Sequence, residues 1–193
     1  MKMNGQIQLQ QDSITTLVID SNFIQKLGDI NPERAQAYWN LLYKLSDRLF
    51  LWSVSEITMF ENTQGLWGEK YVAARDYMLK FRRFIVDKNV LLVAARLGGL
   101  YGHPSNNEMY RRIDHGDKII AATALLERGA VLTENVKDFP APYFHHFEHQ
   151  PITYLEKKLQ KTDNVYICYS NNLLVEGLMK TLDDKNTTTK QQA

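Results

Sequence analysis

The stretch from Asp117 to Phe139, DKIIAATALLERGAVLTENVKDF, constrains the chain most, because it sets a helix, a buried strand and an acid-bearing loop side by side. Ile119, Ile120, Ala121, Ala124 and Leu125 fall at i, i+1, i+2, i+5 and i+6 spacing and predict a helix with one apolar face. The small run Ala121-Ala122-Thr123-Ala124 lets that face lie close to a sheet. Asp117 is expected at the helix N-terminus, where the macrodipole and the free amides of the first turn favour an ionised carboxylate at neutral pH. Gly129 reads as the glycine at C′ that ends the helix. Ala130-Val131-Leu132 is then a short buried strand, and Thr133 to Phe139 leaves its carboxyl end as a polar loop. Open parallel sheets build their sites beyond the carboxyl ends of strands, so Thr133, Asn135 and Asp138 are candidates for one.

A second strand tip carries an acid. Thr16-Leu17-Val18-Ile19-Asp20 is β-branched and apolar up to Asp20, with Ser21-Asn22 following. Such a run reads as a buried strand delivering a carboxylate at its end. Phe23 to Leu27 makes a helical turn closed by Gly28. Asn31-Pro32-Glu33 then supplies an N-cap, a proline at N1 and an early acid, which open a helix running to about Leu49. Its face of Ala35, Tyr38, Trp39, Leu42, Tyr43 and Leu45 is expected to pack on the sheet or a neighbouring helix, with a partner or dimer groove as the alternative. Leu49 to Trp52 predicts the next strand, and Ser53-Val54-Ser55-Glu56 opens another helix with capping-box spacing. Glu56 fits a surface or capping role, whereas Glu61 fits the site. Trp67 to about Phe84 predicts an amphipathic helix. Val90 to Val93 reads as a strand or the apolar start of the next segment, and the glycine-rich Arg96 to Pro104 as a mobile connector lacking the ending of a phosphate-binding loop. Arg111-Arg112 could hold a phosphate backbone or form a solvated face. His145 and His149 have the i, i+4 spacing of a zinc pair if helical, but the prolines before them favour a surface turn. Ile152 to Leu155 and Val165 to Tyr169 are late strands separated by a basic segment, and Asn172 to Leu182 reads as a last helix.

Charge and cysteine usage narrow the classes. The 193 residues carry 23 Lys plus Arg against 22 Asp plus Glu, so a formal charge of +1 gives no global field for a polyanion, which a local patch must meet. A single cysteine, Cys168, excludes an internal disulfide framework and suits a reducing cytoplasm; in a buried strand it reads as a packed thiol. No apolar run reaches the length of a membrane span. The expected organisation is a polar leader over 1–14, one domain over 15–182 with a C-terminal extension from about 140, and a disordered tail over 183–193.

Alternating strands and helices predict a three-layer α/β architecture with a mostly parallel central sheet flanked by helices. Asp20 and the 133–138 loop then come from strand tips, and Glu61 and Asp117 from helices entering the same end. Carboxylates without a ring of His or Cys favour a hard cation, Mg²⁺ or Mn²⁺, which relieves their mutual repulsion. The chemistry such a site serves is phosphodiester hydrolysis.

Four motifs in this order carry a family resemblance: Val18-Ile19-Asp20-Ser21-Asn22; Ser55-Glu56-Ile57-Thr58-Met59-Phe60-Glu61 with Gly65 beyond it; Asp117-Lys118-Ile119-Ile120-Ala121-Ala122-Thr123-Ala124; and Thr133-Glu134-Asn135-Val136-Lys137-Asp138-Phe139. The chain resembles PIN-domain ribonucleases, in particular the VapC-type toxins of toxin–antitoxin pairs, from about Thr16 to Phe139. The resemblance implies a PIN-like fold in which Asp20, Glu61, Asp117 and Asp138 are catalytic and metal-ligating acids, supported by Ser21, Thr133 and Asn135. It further implies Mg²⁺-dependent cleavage of RNA leaving a 5′-phosphate, a cognate antitoxin partner, a homodimer and a cytoplasmic place of action. Arg111, Arg112 and Lys118 are the candidate RNA contacts. The 62–112 interval and the region after Pro140 are longer than the compact members of that family have. Three readings compete with a toxin of this kind: a catalytically silent PIN-like module that binds RNA or protein, another Mg²⁺-dependent nuclease outside toxin–antitoxin systems, and a different Mg²⁺-dependent phosphotransfer fold such as a phosphatase.

Overall fold

Leu17, Val18 and Ile19 are all fully buried, yet alternate side chains of a strand point to opposite faces, so a sheet holding them needs a core on each side. The computed structural model, which describes residues 15–101, 113–177 and 180, supplies both. The strands are β1 (Thr15–Ile19), β2 (Phe50–Ser55), β3 (Arg82–Phe84), β4 (Ala130–Thr133), β5 (Phe144–Glu156) and β6 (Leu159–Ser170), in the sheet order β3-β2-β1-β4-β6-β5. β3, β2, β1 and β4 run parallel, while β6 is antiparallel to β4 and β5. Leu17 and Ile19 join α1 (Ser21–Leu27) and α2 (Pro32–Ser46) on one face through Phe23, Tyr38, Leu42 and Leu45. Val18 and Val131 join α5 (Lys88–Tyr101) and α6 (His115–Leu126) on the other through Val93, Leu97, Ile120 and Leu125. This is the three-layer α/β arrangement read from the sequence. α3 (Glu56–Thr63) and α4 (Gly68–Met78) complete the elements around β2.

The α6–β4 connection is a tight turn set by local geometry. Arg128 takes the left-handed conformation, φ 50°. Its amide donates to Leu125 O at 3.1 Å and that of Gly129 to Ala124 O at 2.9 Å, which is the pairing of a Schellman motif with Arg128 at C′. Gly129 is therefore not the left-handed residue that the sequence suggests. It is needed because a Cβ there would run into the Thr16 carbonyl and lie 3.1 Å from Thr16 Cβ.

Several other boundaries differ from the sequence reading. Leu49 precedes the second strand, which extends to Ser55, and Ser55 caps α3 without a side-chain hydrogen bond. The segment expected as one helix from Trp67 to Phe84 is α4 followed by the short edge strand β3. Val90 to Val93 and the glycine-rich residues up to Tyr101 belong to α5, a helix rather than a strand and connector. The two late strands are a single long hairpin turned by Lys157 and Lys158, both at positive φ (50° and 68°), as a two-residue I′ turn requires. His145 and His149 therefore lie on a strand, where the His149 ring bonds Asn164 and tilts over Tyr166 at 5.1 Å; the helical zinc pair does not form. Residues 172–177 are helical. Much of the aromatic stripe of α2 packs internally, Tyr38 being buried and Trp39 stacking on Phe81 (ring centroids 6.4 Å apart) and meeting Tyr77 edge-on (6.0 Å), while Tyr43 stays exposed. Cys168 is buried and free, its thiol pushed up to about 12 by burial. The leader, the 102–112 segment and the tail lie outside the described residues.

Candidate functional site at the carboxyl edge of the sheet

β1 and β4 end side by side, and the hydrogen bond from Asp20 N to Leu132 O (3.0 Å) extends their pairing one step past β1. Asp20 is thus held at the strand tip while also serving as the N-cap of α1. Its carboxylate is 1% exposed and accepts from Ser21 N at 2.6 Å and from Thr133 Oγ1 at 2.7 Å. Thr133 in turn accepts from Asn135 N at 2.9 Å, so one hydroxyl ties the β1 carboxylate to the loop after β4. Asn135 donates through Nδ2 to the buried Asp138, which lies in the 3-10 turn Val136–Asp138. Ser21 Oγ donates to Glu61, on the last turn of α3.

Asp117 occupies the first turn of α6, whose N-cap is Asp114. The helix starts earlier than the apolar pattern suggests, because Asp114 accepts from its neighbour's amide and shifts the first turn upstream. The macrodipole alone does not set the proton affinity of Asp117. Burial, then the charges of Asp20, Asp138, Glu61 and Asp114, push it from 3.8 up to about 8. Asp20 is raised to about 6, again by burial first, although the hydrogen bonds from Thr133 and Ser21 pull the other way. Desolvation and like charge outweigh a helix terminus, since the dipole stabilises by at most about 2 kcal/mol in partly buried sites and an uncompensated buried charge costs several.

The chain therefore brings Asp20, Glu61, Asp117 and Asp138 within electrostatic reach of one another, with Ser21, Thr133 and Asn135 bonded to three of them. Among the described residues no three Asp, Glu, His or Cys side chains converge closely enough to hold an ion as they stand. Asp20, Glu61 and Asp138 each accept a hydrogen bond from a neighbouring hydroxyl or amide. The donor set still fits a hard divalent cation, being all oxygen, partly buried and mutually repulsive. Lys118 lies beside Asp117, and its Cδ and Nζ sit 3.5 and 3.6 Å from where a Cβ on Gly98 would be. Arg111 and Arg112 lie outside the described residues. Glu56 stays out of the cluster; it accepts from Val86 N at 3.0 Å and faces Arg83 at 3.7 Å, joining α3 to the turn before α5.

Two supporting features escaped the sequence reading. Tyr38 Oη lies 2.8 Å from both Glu134 Oε1 and Asp163 Oδ2. Arg34 grips Asp163 through Nη2 at 2.7 Å and Nε at 3.0 Å. Burial raises Glu134, while bonds from Arg34 and Tyr38 overcome burial and hold Asp163 below the usual carboxylate range. The second feature is Gly116, where an added Cβ would meet the Glu61 carboxylate. Both depend on contacts across the whole fold, and no local pattern signals them.

No protein-family model matches the chain, and no curated protein matches it. Solved structures to which it is similar include VapBC2 from Rickettsia felis bound to a DNA fragment from its promoter, at 16% identity over 63% of this chain and 89% of that one, TM-score 0.49. FitAB bound to the IR36 DNA fragment is similar at 22% identity over 64% of this chain and 87% of that one, TM-score 0.48. A toxin–antitoxin complex from Klebsiella pneumoniae is similar at 22% identity over 65% of this chain and 91% of that one, TM-score 0.44. Among the described residues no helix is long and apolar enough to cross a membrane.

Proposed function

We propose that the chain is a metal-dependent endoribonuclease of PIN type, acting as the toxin of a toxin–antitoxin pair. One observation carries the reading: Asp20 from a strand tip and Asp117 from a distant helix enter one partly buried cluster with Glu61 and Asp138, where burial and the neighbouring carboxylates raise the proton affinity of both. Grouping like charges away from water destabilises a fold, and a cation-dependent task is the simplest reason to maintain it. The four motifs that resemble PIN ribonucleases fall on these same residues.

In this reading Asp20, Glu61, Asp117 and Asp138 hold Mg²⁺ or Mn²⁺. The bound ion supplies Lewis acidity toward a phosphodiester oxygen and lowers the pKa of a water. Thr133 and the Ser21 amide fix the Asp20 carboxylate so that it is oriented before substrate arrives. Asn135 does the same for Asp138. Lys118, with Arg111 and Arg112, would meet the RNA backbone, since the net charge offers no wider attraction. An antitoxin partner is supported by Phe60 and Trp67, large exposed apolar side chains on α3 and just beyond it, adjoining the helix of Glu61.

The second reading, a silent PIN-like binding module, draws on the absence among the described residues of three acids poised to hold an ion. One experiment separates them. Asp20→Asn and Asp117→Asn each remove a ligand charge and almost no volume, so both variants should fold and lose RNA cleavage in Mg²⁺. Cleavage equal to wild type in both variants refutes the site, and absence of cleavage by wild type with either ion favours the module.

A further inference from the structure

Gly116 is buried in the first turn of α6, immediately before Asp117. A Cβ built on it would overlap Glu61 Oε1, lie 3.0 Å from Glu61 Cδ and 3.5 Å from Glu61 Oε2. All three nearest obstacles are atoms of a single carboxylate. Glu61 comes from α3, which packs against α6, and its described hydrogen bond is the one from Ser21 Oγ. The carboxylate thus occupies the volume a side chain at 116 would fill, beside the first turn of α6. Asp117 lies next in the chain and feels the Glu61 charge.

We propose that Gly116 is a positioning residue: the missing side chain is the seat that brings the Glu61 carboxylate beside Asp117, so a methyl group there displaces one acid of the cluster without unfolding the protein. The obstruction is the far end of a flexible side chain, which can swing away, rather than backbone, which cannot. Gly129 shows the contrast, since its added Cβ would run into the Thr16 carbonyl. The inference rests on the cation-binding reading of the site, and its test separates the two.

The experiment uses the full chain without RNA. Mn²⁺ binding is followed by titration calorimetry, and metal-free stability by chemical denaturation. Gly116→Ala should weaken Mn²⁺ binding by about ten- to a hundredfold, the range seen when groups orienting metal ligands are lost, with the metal-free denaturation midpoint close to wild type. In a Glu61→Ala background the same methyl should change neither quantity, because the group it displaces is gone. Equal Mn²⁺ affinity in wild type and Gly116→Ala overturns the inference and leaves the site reading intact. An equal loss of affinity with and without Glu61 also overturns it, since the methyl then acts elsewhere. If Gly116→Ala alone fails to fold, folding of Gly116→Ala with Glu61→Ala supports the seat, and failure of the double variant overturns it. Absence of Mn²⁺ binding by wild type removes the cation-binding reading and this inference together.

Discussion

Asp20 and Asp117 are the two side chains in which the fold works most visibly against itself. Both hold protons more tightly in the folded chain, being raised from 3.8 to about 6 and about 8, chiefly by burial and then by neighbouring carboxylates. For an acid shifted upward, the stabilising contribution is present in full below its ordinary value and is lost as pH rises through the folded value, because the native state then binds protons that the unfolded chain has released. The metal-free protein should therefore lose stability as pH rises from about 4 to about 8. Asp117→Asn should flatten the upper part of that fall, which thermal melts in a chelator across this range will read. A wild type and variant with parallel pH profiles would show that Asp117 does not titrate this way. Asp20 was legible in the sequence because a β-branched run ended on it. The neutral tendency of Asp117 was not, since a helix terminus argues for the opposite and only the distant acids, together with burial, reverse it.

At the scale of elements, the parts read correctly were those whose local chemistry agrees with their place. Asn31-Pro32 opens α2 with Asn31 Oδ1 accepting from Glu33 N at 3.1 Å, and the apolar runs of β1 and β4 have no other reading. The parts misread carry local signals that tertiary contacts override. Gly98 and Gly99 suggest a break, yet they lie within α5, where the Lys118 side chain reaches Gly98. β3 is only Arg82–Phe84 and gains its strand character from pairing with β2. The β5–β6 hairpin was hidden because its turn is Lys157-Lys158 instead of Asn-Gly. Left-handed backbone costs an ordinary residue roughly 1–2 kcal/mol, so Lys157→Asn with Lys158→Gly should stabilise the protein by about 1 kcal/mol or more. Chemical denaturation measures this directly; an unchanged or lower midpoint would mean the lysines make compensating contacts.

Across the whole molecule, α2, the far end of the hairpin and the loop after β4 meet at Tyr38, whose hydroxyl reaches Glu134 and Asp163 together. Glu134 stands between Thr133 and Asn135, the residues bonded to Asp20 and Asp138. Tyr38→Phe keeps the ring that packs 4.9 Å from Phe23 and removes only the shared donor. It should cost about 1–3 kcal/mol of stability, the penalty for removing the donor to a half-buried Glu134, while Asp163 keeps Arg34 and Tyr154. Urea titration of the variant tests this, and a loss below a few tenths of a kcal/mol would mean water replaces the hydroxyl. None of this could be read from spacing, because the residues are brought together by three separate elements.

The alternation along β1 has a further result. Leu17 and Ile19 feed one core, Val18 feeds the other, and Asp20 follows at the next position. Where the acid points and how two interiors are filled are thus counted off on the same short ruler. An insertion or deletion of one residue within Thr15–Ile19 would exchange the contents of both interiors at once, so this segment can change the kind of side chain it carries far more readily than the number.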